Sequence, residues 1–587
     1  MKSQIKTLSG IGVSNGIALG KAVIVKRQAT EIVEKEISIG QIDKEQKRFF
    51  KARDITFTEL QKIREKTSKS LGEKSAEIID AQLLLLQDNY LIASILENIE
   101  VKKRNAEFSV ETTMNDFIAE FAQRSSGNEF LSDRIQDLKD LKARLIENLI
   151  GEEKTRLFEN VDEESILITT HLAPSESVQL FGKTIGGLVT ERGGKTSHIA
   201  IILKTLEIPA VVGVDNACNQ LIENSFIIID GFTGTIFLNP NESLIKKYQD
   251  KKKAFEETIS HYLDIAPLIP ITKDEHRVTV SANIEIPEEL QLVKKYGAEG
   301  VGLFRTELLY ISQEDFPTES YQTKVYSDLA QKLSPNPLII RTFDIGGDKL
   351  LYRNSHSLEP NPFLGWRAIR IGLSHPKVMK SQLRAIFKAS AFGNVKLMFP
   401  MISSNDEISR LRELADESCE ELRKDGEDFN EKLEIGIMVE IPSAALLAKQ
   451  LAKNVDFFSI GTNDLIQYTL AVDRGNQKVA EYYQSYHPSV IRLIKETVDG
   501  AHSENKWVGI CGEMGGDTNA TIFLLGLGID EFSCTPQNVP SIKEIIRSVN
   551  YSDAKDVADK CIRANTQNEI LDILKETNCQ LIPDLIE

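Results

Sequence analysis

The stretch Phe457-Phe-Ser-Ile-Gly-Thr-Asn-Asp464 is a short apolar run that closes in glycine and then in polar side chains. It has the length of a fully buried strand, with its chemistry gathered at the carboxyl end. The pattern recurs along the second half of the chain. Strands are predicted at Val278–Ala282, Gly300–Arg305, Leu338–Phe343, Lys396–Pro400, Ile435–Glu440, Phe457–Gly461, Val508–Cys511 and Glu531–Cys534, separated by helical stretches. Eight such strands are what a (β/α)8 TIM-type barrel requires. A doubly wound open sheet is the alternative. The strand count and the polar strand ends (Asn283, Arg305, Glu307, Arg341, Asp344, Glu440, Asn463, Asp464, Cys511, Glu513) favour closure.

Upstream, Ser243 to Ile259 alternates lysines with Glu and Tyr and reads as a charged connecting helix with a thin apolar stripe. Before it, Ile166–Ile168, Gly187–Val189, Ala210–Val212 and Phe226–Ile229 are short apolar runs bounded by Gly, Pro and Asn, as in a small α/β unit. Residues 35–150 differ: they are charge-rich, lack proline and carry apolar residues at helical spacing, as in Leu141, Leu145 and Leu149. Glycine-rich sequence at 10–20 precedes this bundle, so it reads as an insertion. The expected organisation is multidomain α/β. Residues 1–34 and 151–242 form the small α/β domain, 35–150 the inserted helical bundle, 243–262 a helical linker and 263–587 the barrel.

A chain of 587 residues is too long for a single core. The net charge of −17 argues against a nucleic-acid or anionic-membrane binder and allows docking to a basic partner. Neither a signal peptide nor a membrane span is predicted, and a cytoplasmic location follows. The six cysteines lack CxxC spacing, so neither a zinc site nor a disulfide framework is indicated. No Walker A or Gly-x-Gly-x-x-Gly segment supports a nucleotide site.

Gly193-Gly-Lys-Thr-Ser-His198, followed by Ile199-Ala-Ile-Ile-Leu203, places a histidine on a glycine-rich turn where a helix begins. Free N–H groups and the helix dipole favour an anion there, so His198 is a candidate phosphate carrier, with a plain helix-start histidine as the alternative. In the barrel, Arg305, Arg341 and Arg367 fall at or just beyond strand ends and together offer paired donors to an oxyanion. For any one of them, an ion pair with Glu307, Asp344 or Asp348 is an equal alternative. Glu440 and Asp464 each follow an apolar strand and suit Mg²⁺, completed by substrate oxygens and water. Arg474 is a possible fourth cation. Cys511, before a glycine, is a candidate acid with a pKa expected near neutrality, against the alternative of an inert buried thiol.

The motifs GGKTSH, GLFRTE, RTFDIGGDK, NPFLGWRAIR, MFPMI, IMVEIP, FFSIGTNDLIQYTLAVDRGN and ICGEMGGD occur in this order. In them the chain resembles the Enzyme I family of the bacterial sugar phosphotransferase system, from about residue 9 to the C-terminus. That resemblance implies that phosphoenolpyruvate and Mg²⁺ bind the barrel mouth, with Glu440 and Asp464 as metal ligands and Arg305, Arg341, Arg367, Asn463 and Arg474 around the substrate. It implies that His198, in a phosphohistidine domain, takes the phosphoryl group, that Cys511 protonates the leaving enolate to pyruvate, and that the bundle docks the carrier HPr. Acidic positions such as Glu73, Glu77 and Asp80 fit a basic HPr face or equally a solvated one. His198 must then move between two sites about hinges flanking 243–259. A homodimer through the barrel is also implied. The chain departs from the family pattern at Ala173, where a threonine usually orients the histidine, and at Lys195 and Ile202-Leu203-Lys204, where lysine replaces arginine. A water, or a neighbour such as Ser175 or Thr196, is the expected substitute for the missing hydroxyl. Phosphoenolpyruvate synthase and pyruvate phosphate dikinase share the histidine domain and barrel, but this chain has no room for their ATP-grasp domain.

Overall fold

A computed structural model describes the chain except for residues 1–5, 26–31, 124–128, 151–160, 173–184, 195–197, 312–315, 347–360, 477 and 586–587. The chain divides into two compact units, residues 1–257 and 258–587.

The first unit holds a mixed sheet of β1 (Lys6–Ser9), β2 (Ile11–Ser14), β3 (Ile17–Val25), β4 (Ser165–Thr169), β5 (Gly187–Thr190), β6 (Ala210–Val212), β7 (Phe226–Asp230) and β8 (Thr235–Leu238). Its order is β1-β8-β7-β3-β4-β5-β6-β2. Strands β3 to β6 run parallel, and β7, β8, β1 and β2 are antiparallel to their neighbours. Successive residues of β4 point to opposite faces, and both faces are buried: Ile166 and Ile168 join one apolar cluster, Leu167 another. Between β3 and β4 come four long helices: α1 (Ile42–Leu85), α2 (Asn89–Glu100), α3 (Ala106–Gln123) and α4 (Glu129–Ile150). Leu60, Ile99, Val110, Met114 and Leu141 form their separate core. Arg48 ties three of these helices together, since it pairs with Glu45 and Glu107 and donates to the Leu149 carbonyl.

Helix α5 (His198–Leu206) connects β5 to β6. Ala200 and Leu203 pack it onto Leu188, Ala210 and Val212. Helix α6 runs over Glu242–Ile265, longer than the predicted 243–259 stretch. Its Tyr248 is buried against Ile17 and Ile228, and the phenol donates to Asp230 at 3.3 Å.

The second unit is a closed parallel barrel of β9 (Thr279–Ile284), β10 (Val301–Phe304), β11 (Leu338–Arg341), β12 (Val395–Phe399), β13 (Ile435–Val439), β14 (Phe457–Ile460), β15 (Trp507–Ile510) and β16 (Glu531–Cys534). Closure is made by β16 on β9, with Glu531 opposite Thr279 and Cys534 opposite Ala282. All eight strands lie where the apolar runs predict them, with ends displaced by up to two residues. The displacement in β11 has a clear cause. Phe343 leaves the ladder because its N–H donates to the buried Gln382 side chain at 3.0 Å, so Arg341 is the last strand residue. The lumen is filled by Leu303, Ile339, Met398, Met438, Phe457 and Cys511, with Trp507 packed beneath. Among the described residues, no helix is long and apolar enough to cross a membrane.

Candidate active site

The carboxyl ends of β11, β13 and β14 bring the predicted residues together. Asp344, Glu440 and Asp464 offer oxygens that all lie within 4.8 Å of one another. Glu440 is the first residue after β13, and Asp464 sits in the first turn of the helix Thr462–Leu470 that follows β14. The Glu440 side chain is fixed by an N–H from Met401 at 2.6 Å. Met401 holds that position with φ of 55°, a left-handed conformation unusual for a non-glycine residue and often found at functional sites.

Arg341 and Arg367 enclose this acidic trio. Arg367 grips Asp344 with Nε at 3.0 Å and Nη2 at 2.8 Å to each oxygen, and its Nη2 reaches Asp464 at 3.3 Å. Its Nη1 donates to the Tyr468 hydroxyl at 3.1 Å. Arg341 donates to Glu307 at 2.8 Å and lies 3.5 Å from Asp344. Arg474 approaches Asp464 at 3.9 Å. Arg305 pairs with Glu285 at 2.7 Å on a half-exposed edge of the rim. Asn463 and Glu513 exchange two bonds, at 3.0 and 2.9 Å, which join the turn after β15 to the helix after β14. Gly512 makes this possible, since a Cβ there would lie 1.9 Å from the Thr462 hydroxyl.

The electrostatics follow from burial and crowding. Desolvation, with Asp344 and Asp464 beside it, pushes Glu440 up to about 8, Arg341 and Arg367 opposing. Asp344 is also desolvated, but Arg341 and Arg367 outweigh that and hold its carboxyl below the ordinary range. Among the described residues, the buried Asp464 Oδ1, Arg341 Nε and Thr462 hydroxyl have no hydrogen-bond partner. Crowded carboxylates with an unbonded buried oxygen fit a hard divalent cation, which supplies the missing positive charge.

Cys511, the first residue after β15, is 2% exposed and joins the lumen cluster, its thiol 3.6 Å from the Ile460 carbonyl. The near-neutral pKa expected from the sequence is corrected here: desolvation pushes the thiol up to about 11, against the Ser459 hydrogen bond and Arg341. His198 belongs to the first unit and is the first residue of α5, which follows β5 and Gly193 at φ 130°. The His198 side chain, Ala173, Ser175, Lys195 and Thr196 lie outside the described residues, as do the side chains of Glu73 and Glu77. Asp80 pairs with Arg64 at 3.0 Å.

Glu307 and Asp344 were not assigned to the site from sequence. One Glu307 oxygen accepts from both Arg341 and the Asp344 backbone, at 2.8 and 2.9 Å, so it orients the whole β11 end. The sequence marks both as polar strand ends and as possible arginine partners, without giving either a role at the site. Met401 contributes a backbone group, for which sequence carries no signal.

A barrel rim of this composition falls within a recognised class. Family models for PEP-utilising enzymes match three parts of the chain: the PEP-binding domain at residues 264–551, the N-terminal domain at 9–134 and the mobile domain at 161–234. Phosphoenolpyruvate-protein phosphotransferase of Haemophilus influenzae is 41% identical over 569 residues, covering 97% of this chain and 98% of its own. The enzymes of the same name from Listeria innocua (40% over 574 residues, 97% and 99%) and Bacillus subtilis (39% over 573 residues, 98% and 100%) match equally fully. The chain belongs to the phosphoenolpyruvate-protein phosphotransferase family and is, with it, a PEP-utilising enzyme.

Proposed function

We propose that this chain transfers the phosphoryl group of phosphoenolpyruvate to its own His198 and then to a histidine of HPr, releasing pyruvate, as the first step of the sugar phosphotransferase system. The observation that carries the reading is the buried pairing of Arg341 and Arg367 with Asp344 and Asp464, with Glu440 in the same carboxylate cluster, at one end of a closed barrel. Arg305, Arg341, Arg367, Asn463 and Arg474 bind the phosphate and carboxylate of the substrate. Glu440 and Asp464 hold Mg²⁺, which when bound neutralises charge on the substrate oxygens.

The imidazole of His198 displaces enolpyruvate from phosphorus. The N–P bond forms as the bridging P–O bond breaks, the C–O bond stays intact, and the enolate oxygen keeps the electron pair. Cys511 then gives its thiol proton to the methylene carbon of the enolate, yielding pyruvate. A thiol held up near 11 is protonated at neutral pH, which is the state a donor needs. The thiolate left behind is stabilised by Arg341 and Arg305 until it regains a proton from solvent. His198 carries the phosphoryl group onward to HPr, docked on the α1–α4 bundle. A cytoplasmic homodimer is the expected form.

Incubation with Mg²⁺ and labelled phosphoenolpyruvate, without ATP, tests the reading: acid-labile label is expected on His198. No label would sink the phosphotransferase assignment, and label persisting in His198→Ala would move the carrier elsewhere. Cys511→Ala is expected to slow pyruvate formation far more than it weakens substrate binding. Unchanged turnover in that variant removes the thiol from the mechanism.

A further inference from the structure

Asp344 occupies a peculiar place. Its carboxylate is 4% exposed and is gripped on both oxygens by Arg367, while Arg341 lies 3.5 Å away. A planar pair of oxygens in a guanidinium fork has the shape and charge of a substrate carboxylate, or of one edge of a phosphate. Asp344 is also within 4.8 Å of Glu440 and Asp464, so the arginines hold it inside an already crowded acidic group. Its backbone is pinned on both sides: the Asp344 N–H donates to Glu307, and Gly346 bridges back to Arg367. The carboxylate is therefore delivered to the fork by the chain itself.

We infer that Asp344 is an internal stand-in for the anionic groups of the substrate, occupying the Arg341–Arg367 seat when it is empty and surrendering Arg367 when substrate arrives. This rests on the reading that phosphoenolpyruvate binds at this rim. Two consequences follow. First, the arginines are kept ordered and charged without substrate, because each has a carboxylate partner in place. Second, an anion entering alone must displace Asp344 and leave it uncompensated beside Glu440 and Asp464, which like-charge repulsion opposes. A divalent cation removes that penalty. Asp344 is thus a positioning residue that couples anion binding to cation binding.

A purely structural role for the Asp344–Arg367 pair predicts that neutralising Asp344 weakens every ligand. The stand-in role predicts the opposite sign when metal is absent. The test is titration calorimetry of phosphoenolpyruvate and of inorganic phosphate into the full-length protein, in EDTA and in Mg²⁺. Asp344→Asn keeps the volume and one acceptor for Arg367; it is expected to bind phosphate about tenfold tighter than wild type in EDTA, the usual size of a coupling between sites. Its enhancement by Mg²⁺ is expected to shrink by the same factor. Asp344→Glu, which retains the charge, is expected to stay as weak in EDTA as wild type, and Asp344→Ser replaces Asn if that variant does not fold. Equal or weaker metal-free binding in the neutral variants, or tightening in the Glu variant, overturns the inference. Wild type that fails to bind phosphoenolpyruvate even with Mg²⁺ instead overturns the assignment of the site.

Discussion

The two ends of the barrel both bury charge, and they settle it differently. At the amino end, Lys543 is 2% exposed and donates to the carbonyls of Ala266 at 2.7 Å and Gly297 at 2.6 Å. Glu531 is buried there too, and one oxygen accepts from the Ser281 hydroxyl at 2.6 Å. Each side chain is hydrogen-bonded to neutral partners, two carbonyls for Lys543 and a hydroxyl for Glu531. At the carboxyl end, arginines meet carboxylates, and buried oxygens and nitrogens of Asp464, Thr462 and Arg341 are left without partners. The amino end has such an atom too, Asn394 Oδ1 before β12, but among the described residues only the carboxyl end sets them beside a cluster of three carboxylates, where a ligand can complete the bonding.

Substitutions at the two ends should therefore separate activity from stability. Arg341→Ala should lower phosphoenolpyruvate-dependent pyruvate formation by about 10²–10³-fold, the range for removing one donor from developing charge. At the opposite end, Lys543→Met leaves two carbonyls without a donor and should cost about 2–4 kcal/mol in urea unfolding, with turnover of the folded fraction unchanged. A turnover loss in that variant would collapse the distinction.

Glu531 refines it further. Burial raises its pKa from 4.5, opposed by Ser281 and Lys396, so between the unfolded and folded values the native state binds more proton than the unfolded chain. Wild-type stability should fall as pH rises from about 4.5 towards the folded value. Glu531→Gln should remove that slope, which melting temperatures across pH will reveal.

The smallest effect is expected at His502. Its hydrogen bond with Asp530, 2.8 Å long, raises its pKa. The stabilisation is present below about 6.5 and fades as pH rises through the folded value, so His502→Gln should destabilise slightly at pH 6 and not at pH 8. Half-exposure keeps it small.

The barrel was legible because each strand is a short apolar run closed by polar residues, a pattern set by burial on both faces. Arg341, Arg367, Glu440 and Asp464 were legible for the same reason, since strand ends and the turns beyond them point side chains to the rim. Asp344 was harder. Its place depends on Phe343 quitting the ladder for Gln382, a long-range bond that local sequence does not encode. Met401 acts through its backbone at positive φ, and the Cys511 pKa depends on how deeply packing seals the thiol.

The packed lumen has a kinetic meaning. Trp507 stacks on Phe457 with ring centroids 4.5 Å apart, and Lys396 lies over the indole at 4.9 Å, so the barrel is stoppered below Cys511. With the lumen packed, product is expected to leave over the same carboxyl-end rim that admits the next substrate. Pyruvate should accordingly act as a competitive inhibitor against phosphoenolpyruvate in steady-state assays.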